Sequence, residues 1–584
     1  MTGWLSILLR ADLETLQVFG ADVDGLAAGT LVPIGPDVFG APLRSTSELP
    51  PGQYDVQATL HVYETYHLAT GHTVKLPSVA ALPHADISKP TAPGNLYSQV
   101  ASLTVGATSP PPQLTLNLTE TVPPVVPPVD TDYIKHVQIK SELLSAFYNT
   151  EIRLGAHVLL PEGFDSHPDA RYPLALNHGH FPADFAGWRP ELPDENLEPD
   201  VATRFAKPIP GDPQEKGVVG YNRIQQEEYH KFYQQWTGPD FPRFLVVEVQ
   251  HACPYFDDSH AVNSASLGPW GDAIMYELLP LIEHRFRGIG EGWARFTYGG
   301  STGGWEALAV QVKYPEEFNG CFASCPDPVD FRAYIQTNIY EDSNMYFTKT
   351  EGFRVVAKPA VRNMLGHIRC TMEQRNHCEL VNGTKNRSGA QYDIWEAVFS
   401  PQGDDGYPKR LYDKLSGVID HEVASYWREN FDLSHIIGRD WDILRPKLNG
   451  KIHVYTGTMD NFYLNNAVYI LEARLNALAA AVASDEEPFT FDIEYGERAE
   501  HCWNGTHPVP TFMCSGRMAC TLVSECDSVS HPVCVPPRVL RCAGDQENGN
   551  HISRLRYNTM YLEKIMARIE VSAPAGADTS SWRY

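Results

Sequence analysis

The sequence predicts an α/β chain: a mostly parallel sheet with helices on both faces, preceded by a small all-β domain. Three observations predict it. A composition shift ends in a proline-dense stretch, strands alternate with helical segments beyond it, and one glycine-rich strand, turn and helix segment surrounds Ser301.

Residues 1–130 carry 4 Lys+Arg and 11 Asp+Glu, a thinner charge density than the 20% of the whole chain. Strand-forming residues cluster from Gln53 to Tyr63, and Gly35-Pro36 and Pro50-Pro51-Gly52 punctuate the region as turns. Proline fixes φ and withholds a ladder donor, so the run from Pro110 to Pro128 reads as an extended connector. The expected division is therefore 1–128, an all-β accessory domain with its connector, and 129–584, the catalytic domain.

Beyond the connector, the segments from Ile152 to Leu160, Leu174 to Asn177 and Phe244 to Val249 are strand candidates. Strands interleaved with helices imply a parallel sheet buried on both faces. From Ala273 to Phe286, apolar Ile274, Leu278, Leu281 and Ile282 recur at helical spacing and predict one buried face. Residues from about 335 to 440 read as a large insertion between sheet strands. Its Trp395, Phe399, Tyr407, Tyr412 and Tyr426 are expected to wall a lid over the site. Five of the eleven cysteines fall in 509–550, which reads as a surface loop before a helical pattern from Leu555 to Ile569.

The net charge of −26 repels phosphate backbones and anionic head groups, so no nucleic-acid partner is expected. No apolar run approaches the roughly 18 residues of a membrane span. Four sequons, at Asn117, Asn382, Asn386 and Asn504, tilt the reading toward a secretory route, with any signal expected ahead of this chain.

Gly299-Gly300-Ser301-Thr302-Gly303 follows the strand-like Arg295 to Tyr298. It precedes Trp305 to Tyr314, where Trp305, Leu308, Ala309 and Val312 share a helical face. A GxSxG pentapeptide alone is weak, with about 0.2 expected by accident in a chain this long. Strand, tight turn and helix is the setting in which a serine becomes a nucleophile, because glycine neighbours let the strained turn pack. Ser301 is the candidate nucleophile.

A serine hydroxyl needs a base to take its proton and an acid to orient that base. Asp460 lies on the loop leaving a strand from Lys451 to Thr456, and His501 on the loop leaving a strand from Phe491 to Tyr495. They are the candidate acid and base. Asp327 and Asp330 compete for the first role and His507 for the second, and Asp460 has an alternative reading as a helix-capping or turn aspartate.

Two backbone donors are needed for the oxyanion: Thr302 after the nucleophile, and Gly179 or His180 after the strand ending at Asn177. His178 and His180 also form an HxH pair, but no companion ligand is visible in sequence, so no metal and no cofactor are expected.

Together, Gly299 to Gly304, Gly457 to Asp460 and His501 to Trp503 resemble the esterase family of α/β-hydrolases that includes enterochelin esterases, feruloyl esterases and S-formylglutathione hydrolases. The resemblance covers about residues 130–580. It implies the α/β-hydrolase fold, a Ser301–His501–Asp460 triad, and a small-molecule or carbohydrate-linked ester as substrate. A peptidase or acyltransferase with the same triad, or a binding protein on the same fold, are the alternatives. The long insertion and the cysteine-bearing segment depart from simpler members.

Overall fold

A computed structural model of the chain describes residues 1–10, 16–106, 113–199, 201–202, 218–219, 221–349, 354–505 and 557–584. His507 and the 509–550 segment lie outside the described residues.

Two eight-stranded sheets organise the molecule. The first is antiparallel and is drawn from residues 2–121, in the order Phe39–Ala41, Leu16–Val23, Thr2–Arg10, Gly52–His67, Leu96–Ser98, Leu118–Thr121, with Thr73–Pro77 and Ala101–Val105 also pairing to the long Gly52–His67 strand. Its burial alternates along Gly52–His67, as expected of a sheet with one face packed. Between Val122 and Tyr133 there is neither strand nor helix, and Val126 and Val129 point into solvent.

The second sheet runs Asp492–Gly496, Ile452–Gly457, Cys321–Ser324, Arg295–Gly300, Leu174–His178, Leu245–Gln250, Ile152–Leu159, Ile134–Ser141. The first six strands are mutually parallel, and Ile152–Leu159 is antiparallel to both its neighbours. In chain order this sheet reads 1-2-4-3-5-6-7-8 with the second strand reversed. Its central strands are wholly buried and mostly apolar, as in Leu245–Gln250, where Glu248 and Gln250 are the polar members, because helices cover both faces.

The segment expected as one helix from Ala273 to Phe286 is helical throughout, but a π-helical turn at Ile274–Leu278 interrupts it. That turn rotates the face, and Leu281 is left 39% exposed, while Glu283 is buried in an ion pair with Arg295 at 2.7 Å. The helix expected from Trp305 begins earlier, at Thr302, directly behind the serine. At the C-terminus, Tyr557–Met560 and Leu562–Ser572 are helical, burying Leu562, Ile565 and Ile569.

Residues between Cys321–Ser324 and Ile452–Gly457 include helices and two short antiparallel strand pairs beside the sheet. Four of the five aromatics expected as a pocket wall are instead core. Trp395, Phe399, Tyr407 and Tyr412 are buried, and Phe399 packs on Trp305 and Trp427 with ring centroids 4.9 and 5.2 Å apart. Large aromatic area is worth most when removed from water, and the insertion needs a core of its own.

The N-terminal sheet docks on this insertion. Trp4 Nε1 donates to Val381 O at 3.0 Å, the Tyr407 hydroxyl accepts from Lys75 N at 2.7 Å, and buried Arg387 donates to Lys75 O and pairs with Asp22, both at 2.9 Å. Two of the four sequons are buried: Asn386 donates to Glu396 and Asn504 to Met560 Sδ. An N-glycan needs a solvent-facing amide, so these two lend nothing to a secretory reading.

Candidate active site

Ser301 sits where the Arg295–Gly300 strand turns into the Thr302–Lys313 helix, with φ 59° and ψ −122°. A non-glycine residue in that region is strained, and the surrounding packing must hold it. Two glycines make that packing feasible. A Cβ on Gly303 would stand 2.1 Å from His178 O, and one on Gly299 2.5 Å from the same oxygen. The helix, strand and Leu174–His178 strand therefore approach more closely than any side chain would allow.

His501 Nε2 lies 3.0 Å from Ser301 Oγ, and His501 Nδ1 lies 2.7 Å from Asp460 Oδ2. Asp460 and His501 are buried, whereas Ser301 is half-buried. Asp460 also satisfies the turn reading: its Oδ1 accepts from the amides of Phe462 at 2.9 Å and Leu464 at 3.2 Å. One oxygen fixes the loop while the other faces the imidazole.

Burial of the His501 ring works against its cation, but Cys502 and the Asp460 carboxylate beside it outweigh that, so its pKa stands well above the ordinary histidine value.

The competing acids point elsewhere. Asp327 Oδ2 accepts from Thr302 Oγ1 at 3.0 Å, Trp395 Nε1 at 2.9 Å and Gln391 Nε2 at 3.2 Å. Asp330 caps the short turn at Phe331–Ala333 and pairs with Arg332 at 2.7 Å.

Several positioning residues carry no signature in sequence. Asn461 Oδ1 accepts the His501 amide at 3.1 Å, while its Nδ2 donates to Glu500 and to Arg362 O. Arg362, from the insertion, donates to Asp460 O at 2.9 Å and lies over the Tyr463 ring at 4.4 Å. The adjacent Asp460-Asn461 dipeptide was the one available hint.

Of the expected oxyanion donors, Thr302 opens the helix, where a first-turn N–H has no carbonyl of its own helix to bind. Gly179 has φ 156°, and its amide nitrogen comes within 3.0 Å of where a Cβ on Gly303 would be. The His180 side chain turns away to Asp257 and Asp258, at 2.9 and 2.8 Å. Desolvation opposes its charge, but these two carboxylates hold its pKa well above the ordinary value. His178 and His180 thus face different neighbours and do not form one HxH site.

Strand order 1-2-4-3-5-6-7-8 with the second strand reversed, a strained serine after the fifth strand, and acid and histidine on loops after the seventh and eighth define the α/β-hydrolase fold. No family model matches the sequence, and no curated protein matches it. Among solved structures the chain is similar to a ferulic acid esterase, at 12% identity and TM-score 0.32 over 63% of this chain and 92% of that one. It is also similar to an S-formylglutathione hydrolase from Agrobacterium tumefaciens, at 12% identity and TM-score 0.28 over 64% of this chain and 90% of that one. A third is a fluorophosphonate-binding serine hydrolase of Staphylococcus aureus, at 12% identity and TM-score 0.28 over 63% and 91%. At such identities and TM-scores these likenesses carry no argument, and the fold rests on the strand order and the turn at Ser301. No helix among the described residues is long and apolar enough to cross a membrane.

Proposed function

We propose that this protein is a serine esterase that cleaves a carboxylic ester through an acyl-enzyme. The observation that carries the reading is the continuous line Ser301 Oγ, His501, Asp460, with steps of 3.0 and 2.7 Å. Both lie within the reach that a nucleophile–base–acid relay requires.

In the proposed reaction Ser301 Oγ attacks the ester carbonyl as its proton passes to His501 Nε2. The tetrahedral oxyanion is held by the Thr302 amide and an amide of the Gly179–His180 segment, at the positive end of the Thr302–Lys313 helix. His501 then protonates the departing alcohol, leaving the acyl group on Ser301. Water attacks this acyl-enzyme, gives its proton to His501, and releases the carboxylic acid and the free serine. Asp460 keeps the His501 ring in the tautomer that accepts at Nε2. No cofactor takes part in these steps.

The test is a fluorophosphonate probe together with p-nitrophenyl acetate. Wild-type protein is expected to be labelled and to release nitrophenol, whereas Ser301→Ala loses both while keeping its circular dichroism. Near-wild-type hydrolysis by Ser301→Ala would overturn the assignment. A matched panel of p-nitrophenyl esters and p-nitroanilides then separates ester from amide cleavage.

A further inference from the structure

A second group of ionisable side chains lies under the nucleophile turn, and the proposed reaction does not use it. Glu306, one turn into the helix behind Ser301, is fully buried, and among the described residues neither of its carboxylate oxygens has a hydrogen-bond partner. A bare buried carboxylate is costly, so the group must hold a proton or face a cation.

The side chains around Glu306 are equally buried and suited to a cation. His260 Nδ1 stands 3.0 Å from Asp258 Oδ1, and one donor atom each of Asp258, His260 and Glu306 lies within 4.8 Å of the other two. Neither ring nitrogen of His260 makes a well-aligned hydrogen bond among the described residues: Nδ1 faces Asp258, and Nε2 stands 3.8 Å from Asp327 Oδ2. His178 Nδ1 approaches Glu306 Oε2 at 3.6 Å and His251 Nε2 approaches Oε1 at 3.9 Å.

We propose that Asp258, His260 and Glu306 form a buried binding site for a divalent ion of the zinc class. Donors on a tetrahedral zinc at 2.0–2.2 Å are separated by about 3.4 Å, so side-chain rotations within the cluster bring all three onto one ion. Calcium and magnesium prefer an all-oxygen shell, which an imidazole among three ligands disfavours. His251 serves the outer shell. Its Nδ1 accepts the Ser259 amide at 3.2 Å, so its Nε2 carries the hydrogen and donates toward Glu306 rather than ligating. The ion joins the loop after Leu245–Gln250 to the helix that begins at Thr302, and so braces the turn from below. It sits outside the reacting atoms and has a structural role.

The whole chain, purified and dialysed into metal-free buffer without chelator, is expected to carry about one zinc by plasma mass spectrometry. Stripping with dipicolinate should lower the melting temperature by several degrees, and zinc chloride should restore it. Glu306→Gln and Asp258→Asn should retain little zinc.

Because the chain also holds cysteines, cobalt(II) replaces zinc as a second readout. Nitrogen and oxygen ligands give no sulfur-to-metal charge-transfer band in the near ultraviolet. Wild-type protein that neither carries nor takes up zinc, with an unchanged melting temperature, would overturn the proposal, as would a thiolate band or a Glu306→Gln chain binding zinc like wild type. Should the variants not fold, zinc content, zinc-dependent melting and the cobalt spectrum of the wild type decide.

Discussion

Trp395 of the insertion donates to Asp327 Oδ2 at 2.9 Å, and the same oxygen takes the hydroxyl of Thr302, the residue that follows the candidate nucleophile. The insertion thereby reaches the serine turn through one buried carboxylate. A hydrogen bond to a charged group contributes about 1.5–3 kcal/mol. Trp395→Phe should therefore lower the melting temperature by a few degrees. It should also reduce kcat on p-nitrophenyl acetate several-fold with little change in KM, since the Thr302 amide moves with its side chain. An unchanged kcat in a destabilised variant would show that the turn is indifferent to the insertion.

The acid is assigned by a pair of variants. Asp460→Asn should lower kcat by about 10⁴, because the amide permits the wrong imidazole tautomer. Asp330→Asn removes a cap and an ion pair with Arg332, so it should cost stability and leave kcat near wild type. The reverse pattern in single-turnover kinetics would reassign the acid to Asp330.

The pH profile follows from His501. In the proposed reaction only the neutral imidazole can take the serine proton, and its pKa is raised above the ordinary 6.5. Activity is therefore low on the acid side and rises with pH through a midpoint above 6.5. Asp460→Asn, lacking the carboxylate, should move whatever midpoint remains toward acid. A wild-type kcat/KM midpoint at or below 6.5 would contradict this account of the histidine's surroundings.

Stability should fall on acidification for a separate reason. Burial lowers the pKa of His61 and of His157 from 6.5 to about 4 in the folded chain. Above pH 6.5 both are neutral whether folded or not, and the linkage vanishes. Between 6.5 and 4 the unfolded chain binds protons that the folded chain refuses, so stability declines as pH falls. The loss is of the order of 3 kcal/mol for each histidine by pH 4, at 1.36 kcal/mol per pKa unit. His157→Gln should flatten the slope of melting temperature between pH 6.5 and 4.5, and an unchanged slope would remove His157 from the explanation.

What was legible in the sequence was local. Glycines at 299 and 303 mark the place where backbone packs on backbone and where Ser301 must take a positive φ, and both demands are written within five adjacent residues. Strand periodicity placed Ile452–Gly457 and Asp492–Gly496 within a residue or two, so the loops carrying Asp460 and His501 could be found. The turn reading of Asp460 was legible too, since its contacts with Phe462 and Leu464 span two and four residues.

Tertiary structure alone decided the remainder. His501 meets Ser301 across 200 residues and Asp460 across 41, and no spacing rule links side chains over such distances. Apolar period could not foresee the π-helical turn that exposes Leu281, because one extra residue per turn leaves composition unchanged. Nor could aromatic content tell a pocket wall from a core: Trp395 and Phe399 are buried because the insertion must bury area of its own. Glu306, His178, His251, Asp258 and His260 come from three stretches of chain that have no common motif. Only the close packing that the glycines of the serine turn permit sets them face to face, out of water, where a charge must find a counter-charge.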